Sequence, residues 1–268
     1  MSNVKPTRSS FIRALVSRNN ERMILKNMTW TEVEKAPRSC VVVIPTGSNE
    51  QHGPSLPLCT DTLLVTAVAE AVEALMPDKI LLTPTLWLGG SEHHLAFAGS
   101  LTNDLDAFAS SLVSLVESLI PHGFAKFYVL NGHGGNTAPI AIALRKLKAR
   151  HKKLTFGSSG YYDYCRDKVA EVMEGPQKAL RHADEAETSL VMHLAPELVR
   201  KETLRNDGLT SDPLIQGLVC HFDEVTDEGV LGYAKFALPE KGKAIFEAAV
   251  DGVARELGAI ADGFVFKN

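Results

Sequence analysis

The stretch that decides the fold is "CVVVIPTGSNEQHGPSLPLCTD", Cys40 to Asp61. Its first part, "CVVVI", is a β-branched run closed by Pro45, Thr46 and Gly47, and it reads as a short strand buried on both faces. Its second part places Glu50, His52 and Asp61 within twelve residues. In an extended segment, residues i and i+2 face the same side, so Glu50 and His52 converge. Pro54 and Pro57 stiffen the chain that brings Asp61 back toward them. Taken singly, these residues have plainer readings: Asp61 as the cap of the following helix, Glu50 as a solvated loop residue.

Outward from this stretch, strands and helices alternate. Leu64, Ala67, Val68, Ala71, Val72 and Leu75 recur at helical spacing over 62–76, and Pro77 stops them. "KILLTPTLWLGG" reads as a second strand with a long exit loop. A helix over 104–120 follows, capped by Asn103 or Asp104. "KFYVL" is a third strand. It leads into "NGHGGN" and a helix over 137–150 with Asn136 as N-cap. "LTFGS" reads as a fourth strand, and "ETSLVMHLAPELV" and "EKGKAIFEAAVDGVARELGAI" as later helices. The alternation predicts an α/β fold, a three-layer α/β/α sandwich with a mainly parallel sheet. The expected organisation is an N-terminal arm over 1–30 and one domain over 31–268.

Bulk properties exclude several classes. The net charge of −4 leaves no basic excess for nucleic acid. No apolar run approaches the roughly 20 residues of a membrane span. The four cysteines form no C-x-x-C pair, which fits a reducing compartment and makes the cytoplasm the expected location.

Ligands of such sheets sit beyond the carboxyl ends of the strands. "GSNEQHG" and "NGHGGN" both follow strands directly, so His133 is expected on the same rim as Glu50, His52 and Asp61. Two imidazoles with carboxylates suit Zn²⁺, Mn²⁺ or Fe²⁺ better than Ca²⁺ or Mg²⁺. "NGHGGN" lacks the third glycine of a dinucleotide loop and any G-K-[ST], so its glycines read as letting the backbone pass close to a ligand or metal. "RHADEAETSL" carries His182, Asp184, Glu185 and Glu187. It is either an acid-rich helix start or a source of a proton-transfer group and a metal ligand. In "GGSEHHLAFAGSLT" one of His93 and His94 is expected to face the rim. Tyr161, Tyr162 and Tyr164 either wall a pocket or pack in the core. His122, His151, His193 and His221 have no evident partner.

These four segments, in their order along the chain, resemble the creatininase (creatinine amidohydrolase) family, and with the looser "DEGVLGYAKFALPEKG" the resemblance spans Val41 to Gly242. It implies a hydrolase with a dinuclear metal centre, two divalent ions of Zn, Mn or Fe, assembled as a homo-oligomer, often a hexamer. By motif, Glu50 and His133 would hold one metal, His52 the other, and Asp61 would bridge them. His182 falls at the position of the family's catalytic His. Gly135 stands where creatininase has a second-metal Glu, so Glu187 is nominated as the late ligand and a catalytic group, with Glu185 left as the alternative ligand. Lys178 stands where creatininase has a Trp that encloses its flat substrate, which counts against creatinine. Ser91, His94, Tyr161 and Lys178 are the expected contacts to a small-molecule substrate.

The expected reaction is hydrolysis of a non-peptide C–N bond in a cyclic amide or formamide. A hydroxide bridging the metals would attack, and His182 would act as general acid. A cyclic ketone or lactone from sugar or inositol breakdown is the alternative substrate class. A non-catalytic member that binds a ligand or joins a complex is the alternative of another kind.

Overall fold

Residues 22–206 and 219–264 are described by the structure, a computed structural model. Most of the expected arm, residues 1–21, lies outside them. Four strands form a single parallel sheet among the described residues: β1 (Val41–Thr46), β2 (Ile80–Leu82), β3 (Lys126–Asn131) and β4 (Thr155–Gly160), in the order β2-β1-β3-β4. In register, Thr46 stands opposite Asn131, and Asn131 opposite Gly160. Three strands therefore end level, and the loops that leave them share one rim.

Seven α-helices are described: α1 (Trp30–Lys35), α2 (Thr60–Leu75), α3 (Leu105–Leu119), α4 (Thr137–Arg150), α5 (Arg166–Val172), α6 (Glu185–Leu194) and α7 (Pro239–Ala261). The period-2 alternation of the strands divides the core between two faces. Val41, Val43, Tyr128 and Leu130 pack with α2, α5, α6 and α7. Val42, Ile44, Phe127 and Val129 pack with α3 and α4. Helices thus cover both faces, as a parallel sheet requires. No described helix is long and apolar enough to cross a membrane.

The second strand is shorter than its sequence suggests. It stops at Leu82, and the chain then keeps contact with β1 only through isolated bonds, Thr83 N–H to Val43 O and Leu86 N–H to Pro45 O. Regular alternation from Thr83 would make Thr85 the next donor toward β1, but Leu86 supplies that bond, so the pairing register breaks at Pro84 and Thr85. α1 and α5 are helices that periodicity did not reveal, six and seven residues long. The α3 cap is Asp104, which accepts from Ala107 N–H. Asn136 occupies the N-cap position of α4 but makes no capping bond. Its carboxamide instead accepts from Gly90 N–H at 3.0 Å and donates to Gly47 O at 2.9 Å, tying together the loops after β1, β2 and β3.

The α6–α7 crossing depends on Gly242. A Cβ there would lie 1.9 Å from the carbonyl oxygen of Ser189 in α6. Gly242→Ala is expected to lower unfolding stability by about 1–3 kcal/mol through overpacking, read as a lower urea midpoint with an unchanged slope.

Candidate metal centre

The loop after β1 carries Ser48, Glu50 and His52, and the first turn of α2 carries Asp61. Asp61 is not a cap: Cys59 holds the N-cap position, and the Asp61 carboxylate turns into the rim. Ser48 Oγ donates to its Oδ2 at 2.7 Å. On that same oxygen, His133 Nδ1 stands 3.0 Å away, and His52 Nε2 stands 3.1 Å from Oδ1. One carboxylate thus lies between two imidazoles.

Those imidazoles are oriented by main-chain carbonyls. His52 Nδ1 lies 3.2 Å from Glu50 O, and His133 Nε2 lies 2.8 Å from Gly90 O. A carbonyl only accepts, so these nitrogens carry the protons. In the neutral rings His52 Nε2 and His133 Nδ1 are then bare, and both face Asp61. Lone pairs that oppose at such distances need a cation between them. Outer hydrogen bonds to carbonyls are also how metal-ligating histidines are held.

Glu50 gives the same indication. Its side chain is fully buried, and neither carboxylate oxygen has a hydrogen-bond donor. His94 Nε2 and His133 Nε2 stand 3.2 Å from Oε1 and Oε2, close but out of line for an N–H···O bond. Donor atoms each about 2.0–2.2 Å from one ion stand about 3.0–3.6 Å apart, which matches the 3.0 and 3.1 Å between Asp61 and the bare His133 Nδ1 and His52 Nε2. A buried carboxylate with no donor otherwise costs several kcal/mol. The residues therefore fit a divalent metal. Three sets of donor atoms lie within 4.8 Å of one another: Glu50–His52–Asp61, His52–His182–Glu187 and Glu50–His94–His182. His133 joins through pairs rather than through such a set.

The α6 start completes the rim. Asp184 caps the helix, accepting from Glu187 N–H at 2.9 Å and from Arg181 N–H at 2.7 Å. Glu187 Oε2 accepts from Ala183 N–H at 2.6 Å and lies 3.7 Å from His52 Nε2. Ala183, with φ of 52°, is the one non-glycine residue in the left-handed region among those described. That strain sits between His182 and the helix, where it sets their relative aim. Glu185 points elsewhere. Its carboxylate accepts from Glu174 N–H, Gly175 N–H and Lys241 Nζ at 2.7–2.9 Å, so it braces α6 against α7.

Electrostatics follow from burial and crowding. Burial, then the neighbouring His52 and His94, hold His182 well below the usual imidazole range. Burial, with His93 and His133, pushes His94 down to about 2. Burial lowers His52 too, but it is outweighed by Asp61, Glu187 and Glu50, which hold the ring up at about 10. Burial lifts Glu187 to about 8 against the pull of His52. The ion-pair partners of Glu50, Asp61 and Glu187 among the described residues are all histidines, so no fixed positive charge answers these carboxylates.

Of the expected substrate contacts, His94 and Ser91 lie at this cluster, Ser91 Oγ being 3.4 Å from His133 Nε2. Tyr161 is buried with a hydroxyl that has no partner, raised well above its ordinary range by burial and by Glu187. Lys178 is exposed, and its ammonium donates to Met173 O at the end of α5. His93 is the outer of its pair and stacks on His133 at 5.7 Å. Two site residues escaped the sequence reading. Phe222 packs its ring 3.9 Å from that of His94 and 4.6 Å from that of His182. Gln51 reaches both of the same histidines, and its place between Glu50 and His52 was the only available signal. His151, expected to be unpartnered, pairs with Glu117 at 2.9 Å.

The family model described as creatinine amidohydrolase matches residues 26–257. The chain is 32% identical over 229 residues to a mycofactocin precursor peptide peptidase of Mycobacterium tuberculosis, covering 81% of this chain and 84% of the relative. It is 31% identical to a 3-dehydro-scyllo-inosose hydrolase of Thermotoga maritima, covering 84% and 79%. A crystal structure of creatinine amidohydrolase (creatininase) superposes with a TM-score of 0.78 at 27% identity, covering 88% of this chain and 97% of that one. Similar creatininase structures include manganese and zinc forms and a variant complexed with creatine.

Glu185→Ala is expected to cost about 3 kcal/mol of stability by leaving Lys241 without its buried partner, measured by urea denaturation. Glu187→Ala, whose partner groups are the site's own, should cost less.

Proposed function

The chain belongs to the creatininase family and is a hydrolytic enzyme, and on that premise we propose that it is a metal-dependent amidohydrolase acting on a non-peptide C–N bond of a small cyclic amide or formamide. The observation that carries this is Asp61, held between the bare nitrogens of His52 and His133 beside a Glu50 carboxylate with no donor. We assign one ion to Glu50, His133 and Asp61 and a second to His52, Asp61 and Glu187. Such ions, as Zn²⁺, Mn²⁺ or Fe²⁺, polarise a carbonyl and acidify bound water.

The chain's own residues do the rest. His182 is the most exposed of the four inner imidazoles, at 9%, and its Nδ1 lies 3.8 Å from Glu50 Oε1. Held well below the usual imidazole range by burial and by His52 and His94, it is a neutral ring, and we give it the role of presenting an N–H to the departing nitrogen. Glu187 serves the second ion as a carboxylate, aimed at His52 by the Ala183 N–H that it accepts from. His94 and Ser91 line the approach, and the Tyr161 hydroxyl remains available as a donor. Lys178 has no part in this reading, since its ammonium is held by Met173. We take the enzyme to be a cytoplasmic homo-oligomer.

A second reading keeps the site and changes the substrate to a cyclic ketone of sugar or inositol breakdown. The 31% identity to a 3-dehydro-scyllo-inosose hydrolase favours it. Nothing in the proposed chemistry requires nitrogen as the leaving atom.

Elemental analysis of the purified protein should find about two transition-metal ions per chain, and Asp61→Ala should lose both the metal and the activity. Full metal content in Asp61→Ala would refute the bridging role. A panel of cyclic amides, formamides, cyclic ketones and a short peptide, assayed with Mn²⁺, Zn²⁺ or Fe²⁺, should show turnover of an amide or formamide. Turnover of the ketone alone would establish the second reading.

A further inference from the structure

Gln51 is 5% exposed and sits between two metal-site candidates, yet its carboxamide faces neither of them. Its orientation is determined. Gly53 N–H donates to Oε1 at 2.9 Å, which an NH₂ group in that place would oppose. Gly229, at φ of +75°, closes over the same end of the side chain, where a Cβ would lie 1.9 Å from Oε1. The amide nitrogen is thereby turned to the other side. There it stands 2.9 Å from His94 Nδ1 and 3.0 Å from His182 Nε2.

An amide NH₂ has two protons to donate and accepts nothing. Its two hydrogens match two imidazole nitrogens, and each must be bare to accept. From this geometry we propose that Gln51 is a positioning residue that fixes which ring nitrogen of His94 and of His182 carries the proton. His94 is then protonated on Nε2, the atom 3.2 Å from Glu50 Oε1. His182 is protonated on Nδ1, the atom 3.8 Å from the same oxygen. Both rings present N–H to one point beside Glu50, where a donor is wanted.

For His182 the choice is a contest. The main-chain carbonyl of Gln51 also lies 2.9 Å from Nε2 and would stabilise the opposite tautomer. With the carboxamide in place, a proton on Nε2 would meet the second amide hydrogen. Without it, the carbonyl wins and the Nδ1 proton is lost from the substrate side. The inference rests on the hydrolase reading only for its consequence in catalysis, and the tautomers are readable without any substrate.

The test is the ¹⁵N spectrum of the histidine rings in the full-length protein, loaded with Zn²⁺ and again after chelation. The wild type should show bare Nδ1 on His94 and bare Nε2 on His182. Gln51→Met keeps the volume and removes the donor, and it should move the His182 proton to Nε2. Gly229→Ala leaves Gln51 intact but displaces its carboxamide, and it should shift the same ring. On the substrate that the panel identifies, kcat in both variants should fall by about 10²-fold, the contribution of one positioned hydrogen-bond donor to developing charge, with KM little changed and metal content retained. A wild-type spectrum with protonated Nδ1 on His94 overturns the assignment. So do identical tautomers in wild type and both variants, or altered tautomers with kcat unchanged. If no substrate is turned over, the ring spectra still decide the tautomers, and only the hydrolase reading is at fault.

Discussion

A carboxylate shared between two histidines organises this molecule. Asp61 meets His52 on one oxygen and His133 on the other, and each ring is held by a main-chain carbonyl on its far side. Three chain segments are thereby brought to one point: the loop after β1, the first turn of α2 and the loop after β3. Buried carboxylates are tolerated only when charge and hydrogen bonds answer them. The architecture around Asp61 is best understood as the means of providing that answer.

The polar supports of the rim are as buried as the site itself. Asn136 joins Gly90 to Gly47, Thr46 Oγ1 donates to Asn131 Oδ1 at 3.0 Å, and Asn131 in turn accepts from His133 N–H. Such a network holds three loops to one arrangement because each partner left unsatisfied would be costly. Two glycines make the closeness feasible. A Cβ at Gly132 would lie 2.8 Å from Asp61 O, and one at Gly135 would lie 2.1 Å from Gly90 O. The close approach read from "NGHGGN" is therefore an approach to neighbouring backbone and to His133's own ring.

The acid-rich start of α6 shows how one motif serves two ends. Glu185 and Glu187 are two residues apart, and a helix sends such neighbours to different sides. Glu185 goes to Lys241 and the backbone of Glu174 and Gly175, and Glu187 goes to the rim. The strained Ala183 and the cap by Asp184 place the helix so that this division holds.

Sequence alone determined the layers. Apolar runs of period 2 and 3.6 in alternation lead to a parallel sheet covered on both faces, because burial is read from local periodicity. It also placed Glu50, His52, Asp61 and His133 on one rim, since their segments follow strand ends, and singled out His182 by its family motif. Its local rules failed where long-range partners competed: Asn136 and Asp61 have the composition of helix caps, but the loops and the imidazoles claim their side chains. Only the tertiary structure decided between Glu185 and Glu187 as neighbour of His52. It alone revealed Gln51 and Phe222 against His94 and His182. Those contacts join residues between 40 and 131 positions apart, and no local pattern encodes a hydrogen bond or a ring contact made across such a distance.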